Sequence, residues 1–429
     1  MLRALRHRNF RLFFSGQSIS LIGTWMTRIA TSWLLWRLTH SVEMLGLLGF
    51  ASQVPTFLLA PVAGVWVDRL NRHRLLVATQ VLAMLQSFAL AALVLSGAIV
   101  VWEIFLLQVL QGIVNALDMP TRQSLLIDLI EDRADLSNAV ALNSSMVNAA
   151  RLIGPSAAGL IIAWVGEGWC FFADGVSYMA VIVSLLAMRV ALRPSAVKGK
   201  HVLHDLHDGL RYAFNFTPIR AILLLLALLG LVGIPYRVLM PVIATQTLHG
   251  DAHTLGFLMG AMGVGALMGA LYLATRTTVL GLGRLLPFAS AIFGASLIVV
   301  GLSRWSPLSL LFMVSTGFGF MVQLAASNTL IQTLVREEMR GRVMALYTTA
   351  FMGMATFGSL LAGATAGLIG AAQTLLAGGL VCILGAAVFA YKLPTLRERA
   401  RPVYIEKGIL PQVSESMRNA TTLREEVEQ

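Results

Sequence analysis

"LNSSMVNAARLIGPSAAG" (142–159) lies over "LYTTAFMGMATFGSLLAG" (346–363) at an offset of 204 residues. Leu142 then meets Leu346, Gly154 meets Gly358, and Ala158-Gly159 meets Ala362-Gly363. Nearer the start of each half, Arg11 and Arg28 fall on Arg220 and Arg237 at an offset of 209, and Leu45-Gly46 falls on Leu255-Gly256 at 210. Drifting offsets are what a duplicated chain shows after a few loop deletions. The chain therefore reads as two related halves.

Each half is oily. The 429 residues are 57% hydrophobic and 12% charged, against about 25% charged in an ordinary soluble domain. Apolar runs near the roughly 20 residues that cross a bilayer as a helix recur along the chain. Twelve are centred near residues 24, 55, 86, 110, 154, 179, 231, 265, 294, 317, 355 and 381. Several contain glycine or proline, which membrane helices tolerate when neighbours satisfy the freed backbone groups. The expected fold is an all-α integral membrane protein with 12 transmembrane helices in two parallel six-helix bundles, the repeat of one class of transport proteins. A large soluble helical protein is excluded.

Basic residues set the orientation. Of the 32 Lys and Arg, all but Arg28, Arg37, Arg151, Arg237 and Arg304 fall in the N-terminal arm, alternate turns or the C-terminal tail. The positive-inside rule makes that side cytoplasmic, with both termini inside. The net charge of +11 is thus a topology signal, and no nucleic-acid partner is expected. "MLRALRHRNFR" leads into an uncleaved first helix, because the span is too long for a signal peptide. Cys170 and Cys382 both fall within spans, so neither a disulfide framework nor a metal site is expected. The expected units are a six-helix bundle (1–192), a linker with a short amphipathic helix (193–218), a second bundle (219–392) and a charged cytoplasmic tail (393–429).

"GVWVDRLNRHR" (64–74) sits in the turn after the second span. It resembles the most widespread signature of the major facilitator superfamily, with Asn71 where a glycine is usual. Gly64 lets another helix approach, and Asp68 is placed to cap a neighbouring helix N-terminus. Arg69 and Arg72 are expected to pair with acids such as Asp118. The cluster is expected to latch onto Arg340-Gly341-Arg342 at the start of the eleventh span. In "ARLIGPSAAG" (150–159), Pro155 removes the bond its amide would make to the carbonyl of Arg151 and bends the helix. Ala150, Gly154 and Ala158 form a small-residue stripe, and Ala261, Gly265 and Gly269 offer its expected partner on the eighth span. The Gly154-Pro155 pair resembles the motif of antiporters in the same superfamily. Gln108 stands where those antiporters carry an arginine.

"NALDMPTRQSLLIDLI" (115–130), "EGWCFFADGVSYMAV" (167–181), "DGLRYAFNFTPIRAILLL" (208–225) and "EEMRGRVMALY" (337–347) look like the secretion-effector branch, which includes enterobactin and other siderophore exporters. The resemblance covers roughly residues 8–392. It implies a non-enzymatic exporter in the bacterial inner membrane, driven by an ion gradient, with no cofactor. No phosphate-binding G-x-x-x-x-G-K-[ST] loop is present. Uptake or lipid-type flipping by the same fold, and a membrane sensor or scaffold, are the alternatives.

Charges inside spans default to function. Arg28 and Arg237 are equivalent under the repeat and are the candidate binding residues for an anionic or catechol-like solute. Arg28 lies 17 residues beyond Arg11, about 25 Å along a helix, so snorkelling to the outer face is the alternative, with structural pairing a third. Gln53, Asn115, Asn148 and Gln323 are candidates for neutral hydrogen bonds to the solute. Asp174, the acid well inside a span, is the candidate for coupling to H+. Arg151 is grouped with it, bonded either to carbonyls opened at Pro155 or to an acid. A monomer is expected.

Overall fold

The structure, a computed structural model, describes the backbone of residues 3–130, 132–188, 202–276 and 278–410. Side chains at 60–62, 64–65, 68–69, 133 and 202–206 lie outside the description. Among the described residues the chain is helical throughout. The first half comprises α1 (Arg8–Thr39), α2 (Val42–Arg69), α3 (Arg72–Leu95), α4 (Val101–Asp128), α5 (Leu136–Val165) and α6 (Glu167–Leu186). After the amphipathic α7 (Val202–Asn215), the second half comprises α8 (Thr217–Thr247), α9 (Ala252–Ala274), α10 (Leu282–Leu302), α11 (Ser306–Leu334), α12 (Glu337–Ile369) and α13 (Ala371–Glu406). Eleven of these helices are long and apolar enough to cross a membrane. The remaining long rod, α1, is diluted by Gln17, Ser18, Ser20, Thr24 and Arg28. It packs along α5 and α6.

The duplication recurs in backbone conformation. His40 (φ 47°) and His249 (φ 51°) both end a helix in the left-handed region, 209 residues apart. Gly166 (φ 91°) and Gly370 (φ 92°) each turn one helix directly into the next, 204 apart. Both glycines take a φ that side chains rarely adopt.

The halves meet along α5 with α9 and along α2 with α12. A Cβ on Gly46 would lie 2.7 Å from the Gly363 Cα and 2.8 Å from the Ser359 carbonyl oxygen. A Cβ on Gly256 would lie 2.7 Å from the Gly159 Cα and 2.8 Å from the Pro155 carbonyl oxygen. These are the same contact made twice, since Gly46 is equivalent to Gly256, Gly159 to Gly363 and Pro155 to Ser359. Backbones approach this closely only without side chains between them. Both contacts lie toward the end opposite the termini, so that end is closed.

The α5–α9 contact uses a different face from the one expected. Gly154 points at α1, where a Cβ would meet Trp25 and, at 2.9 Å, the Ile22 carbonyl oxygen. Gly265 and Gly269 face α11, at Phe318 and Met321. The faces that meet across the halves carry Leu152, Ser156 and Gly159 on α5 and Gly256, Gly260 and Gly263 on α9. Small residues cover more than one face of each helix, and each face serves a different neighbour. At the other end of the chain, α13 runs on to Glu406, so residues from 393 to 406 are helical. Buried Leu396 and Ala400, Arg399 bonded to Thr217 Oγ1 (2.6 Å) and Lys407 bonded to the Val335 carbonyl (3.2 Å) hold it against the second half.

Gly46→Leu and Gly256→Leu are expected to part the far ends, while Gly154→Leu disturbs only packing against α1. A cysteine at Val238, beside Gly49 and Ser359, reports the difference through labelling by an impermeant thiol reagent from the far side. Labelling should rise in the first two variants and stay at the parental level in Gly154→Leu; equal labelling in all three would contradict this assignment.

Candidate functional site

Four side chains from three helices converge between the halves. Trp25 and Arg28 are three residues apart on α1 and share a face. Arg151 comes from α5, one turn before Pro155. Arg237 comes from α8, immediately after a break in that helix. At the break, the Ile234 amide reaches back five residues to the Leu229 carbonyl (2.9 Å), and Pro235 cannot donate. A widened turn and a proline interrupt the helix together, and Arg237 projects from the restart.

All three guanidiniums gather on one indole. Their Cζ atoms lie 4.8 Å (Arg28), 5.4 Å (Arg151) and 6.0 Å (Arg237) from the Trp25 ring centroid. Arg237 also lies 5.8 Å from the Phe320 ring and donates from Nε to Tyr236 Oη (3.4 Å). Arg28 keeps an exposed side chain although helices surround it. Among the described residues no carboxylate forms an ion pair with any of the three. Arg151 Nε and Nη1 are buried without a hydrogen-bond partner.

The energetics favour an anion. Sharing one centroid, no two guanidiniums are more than about 12 Å apart. At an effective dielectric near 20 each like-charged pair then repels by at least about 1.4 kcal/mol. Cation–π attraction returns only about 0.5–2 kcal/mol per contact. A ring of π-faces offsets part of the repulsion, and a bound negative charge reverses it. Beside the arginines, Tyr236, Phe293, Phe320 and Phe351 form a chain of ring contacts at 6.2, 6.2 and 5.8 Å. Together they make an apolar wall.

Asp174 lies behind α1 rather than among the arginines. Its Oδ2 accepts from Thr27 Oγ1 (2.8 Å) and Ser87 Oγ (3.0 Å), and Oδ1 from Ser177 Oγ (3.4 Å). Thr27 is adjacent to Arg28 in sequence, so the carboxylate and the guanidinium sit on two sides of one helix turn. Gly23 leaves room for it, since a Cβ there would stand 2.6 Å from Oδ1.

Among the described residues Asp118 does not meet the basic turn. It pairs with Arg122 one turn along α4 and accepts from Gln80 Nε2 (2.7 Å) and Thr79 Oγ1 (3.1 Å); Arg122 donates to Gln17 Oε1 (3.2 Å). Arg72 pairs with Asp128 (2.9 Å). The Asp-x-x-x-Arg spacing was the sequence signal for the nearer partner. Arg340 pairs with Glu337 (3.2 Å) and Arg342 with Asp208 on α7 (3.1 Å), while among the described residues a Cβ on Gly341 would meet no neighbour within 4 Å. The side chains of Asp68 and Arg69 and the surroundings of Gly64 lie outside the described residues.

Of the neutral candidates, Gln53 bonds the Gly49 carbonyl (3.3 Å), Asn115 accepts from Gln111 (3.1 Å) and Asn148 bonds the Ser144 carbonyl (3.0 Å). Each is engaged on its own helix. Gln323 bonds Ser327 (3.3 Å), but its buried Oε1 has no partner; it lines a small cavity with Phe293, Phe320 and Phe351. Trp25, the aromatic wall and the break at Pro235 escaped the sequence reading. "GIPYR" (233–237) was the available signal for the break.

A family model described as transmembrane secretion effector matches residues 1–416. The staphyloferrin A transporter of Staphylococcus aureus is 28% identical over 386 residues, 89% of this chain and 95% of that protein. The enterobactin exporter EntS of Shigella boydii is 26% identical over 400 residues, 92% of this chain and 94% of that protein. Among solved structures, a bacterial homolog of the human lysosomal transporter Spinster, inward-facing and unoccupied, superposes with a TM-score of 0.72 at 14% identity. It covers 92% of this chain and 98% of that one. This likeness shows the major facilitator fold.

Arg122→Gln should strand the buried Asp118 carboxylate, costing roughly 3–5 kcal/mol. Its thermal unfolding midpoint in detergent should fall, and Asp118→Asn in the same chain should recover most of the loss. An unchanged midpoint in the single variant would contradict the pairing.

Proposed function

The chain belongs to the transmembrane secretion effector family of the major facilitator superfamily, and on that premise we propose that it is a monomeric secondary exporter. Its solute is a small amphipathic anion, in the class of siderophores, drugs and acidic metabolites. The observation that carries this reading is the convergence of Arg28, Arg151 and Arg237 on Trp25 with, among the described residues, no carboxylate in an ion pair with any of them. With the basic turns in the cytoplasm of a bacterial cell, the closed end faces outward. The site then stands open on the side from which an exporter loads.

Arg28 and Arg151 belong to the first half and Arg237 to the second. In the empty site their repulsion acts across the interface and resists closure of the cytoplasmic end. A carboxylate or catecholate between them turns repulsion into attraction. Its apolar part lies on Trp25, Phe320 and Phe351. Closing the cytoplasmic end over the solute then parts the glycine contacts at the other end, as two rocking halves require. A solute with two negative charges balances the site better than one. Asp174 supplies the coupling: a proton on its carboxylate ends acceptance from Thr27 or Ser87 and alters how α1 packs on α3 and α6. That change reaches Arg28 within one residue, so proton entry and solute release act on the same helix turn.

Loss of one charge-assisted hydrogen bond of about 1.5–3 kcal/mol lowers affinity roughly ten-fold or more. Arg28→Gln, Arg151→Gln and Arg237→Gln are each expected to weaken binding of a dicarboxylate by that factor, with a neutral amphipathic analogue unaffected. Arg→Lys should restore only part, lacking the planar fork. Calorimetric titration of the purified protein reads this. Equal dicarboxylate affinity in the parent and all three glutamine variants would remove the anion site.

For Asp174→Asn, solute exchange across vesicles should persist while accumulation against a concentration difference, driven by a pH gradient, is lost. Gradient-driven accumulation at the parental rate in this variant would exclude Asp174 as the coupling carboxylate.

A further inference from the structure

A second cavity lies away from the arginine–tryptophan site, in the second half at the end bearing the termini. Its volume is about 500 Å³, the size class of small-molecule pockets. The start of α8, the end of α11 and the middle of α13 build its floor from Ile222, Leu330, Leu334, Phe389, Leu393 and Leu396. Arg284 at the start of α10 and Arg397 and Arg401 on α13 line it as well, with Glu398. Three arginines and one glutamate thus line it. Among the described residues none of the three arginines is in an ion pair. After α13 the chain turns back at Gly408 (φ 67°). The Ile409 amide bonds the Tyr404 carbonyl (2.8 Å), which brings Leu410 to the cavity wall.

Depth decides what fits. α13 begins at Ala371, at the opposite end of the bundle. At 1.5 Å per residue, Phe389 and Leu393 lie about 27–33 Å along it, at the far edge of a hydrocarbon core about 30 Å thick. Arg397 and Arg401 lie about 39–45 Å along, at the level of the headgroups. Val388 and Tyr391 on the same helix are exposed. An apolar floor at acyl-chain depth under an arginine rim at phosphate depth matches an anionic phospholipid in both shape and charge.

We propose that this cavity holds an anionic phospholipid, one acyl chain against Phe389 and Leu393 and its phosphate against Arg284, Arg397 and Arg401. The assignment is independent of what the central site transports. It makes the lipid a wedge among the ends of α8, α10, α11 and α13, so that it binds one half without touching the interface between halves.

Native mass spectrometry of the full chain in detergent, titrated with phosphatidylglycerol or phosphatidylcholine of identical chains, tests this. The parent should retain one phosphatidylglycerol about ten-fold more tightly than phosphatidylcholine. Arg284→Gln/Arg397→Gln/Arg401→Gln should reduce that preference to within about two-fold, and Leu393→Trp should lower retention of both lipids by filling the floor. Millimolar inorganic phosphate should leave the bound lipid in place. Equal retention of the two lipids by the parent, an undiminished preference in the triple variant, or displacement by inorganic phosphate would each overturn the proposal. Thermal unfolding of each variant confirms that a loss of binding is read from folded protein.

Discussion

Two glycine–glycine contacts set the geometry on which everything else depends. Gly46 against Gly363 and Gly256 against Gly159 bring helices of opposite halves together at backbone distance. Only residues without side chains permit that approach, and the repeat supplies it twice in related positions. The arginines lie between the halves, with the Arg28 side chain exposed and Arg151 Nε and Nη1 buried. The same closure places Trp25 of α1 within reach of Arg237 from the second half.

Electrostatics and packing therefore oppose one another across the interface. The glycine contacts draw the halves together at one end, while Arg28 and Arg151 face Arg237 across the middle. Trp25 softens that opposition without cancelling it, because cation–π terms of about 0.5–2 kcal/mol are comparable with the repulsion. A site poised in this way responds to an anion more strongly than one already neutralised by its own carboxylates. Asp118 and Arg122 show the contrast. That pair forms within α4, is satisfied by Thr79 and Gln80 of α3 and Gln17 of α1, and stabilises the first half.

Much of this was legible in the sequence, because a duplication leaves the same residues at the same places. The offsets 204, 209 and 210 recur as matching left-handed corners at His40 and His249, matching glycine corners at Gly166 and Gly370, and the paired glycine contacts. Alternating basic turns and apolar runs sufficed for the helical class. What escaped was direction around each helix. Ala150, Gly154 and Ala158 fall on one face of α5 and Gly159 on another; with both faces lined by small residues, spacing alone could not assign them to α1 and α9. Asp118 was likewise matched to distant arginines when one four residues away sufficed. The convergence on Trp25 was invisible for a different reason. Tryptophan is common at membrane interfaces, and nothing local to α1 tells that arginines from α5 and α8 arrive at the same ring.

Flux through vesicles that contain only this protein tests the exporter reading most directly. Sealed vesicles would carry an amphipathic dicarboxylate or its neutral diamide, with a pH gradient imposed across the bilayer. The dicarboxylate should accumulate against its own concentration difference, collapse when the gradient is dissipated, and outpace the diamide. Equal movement of the two solutes, or movement indifferent to the gradient, would contradict an anion exporter driven by protons.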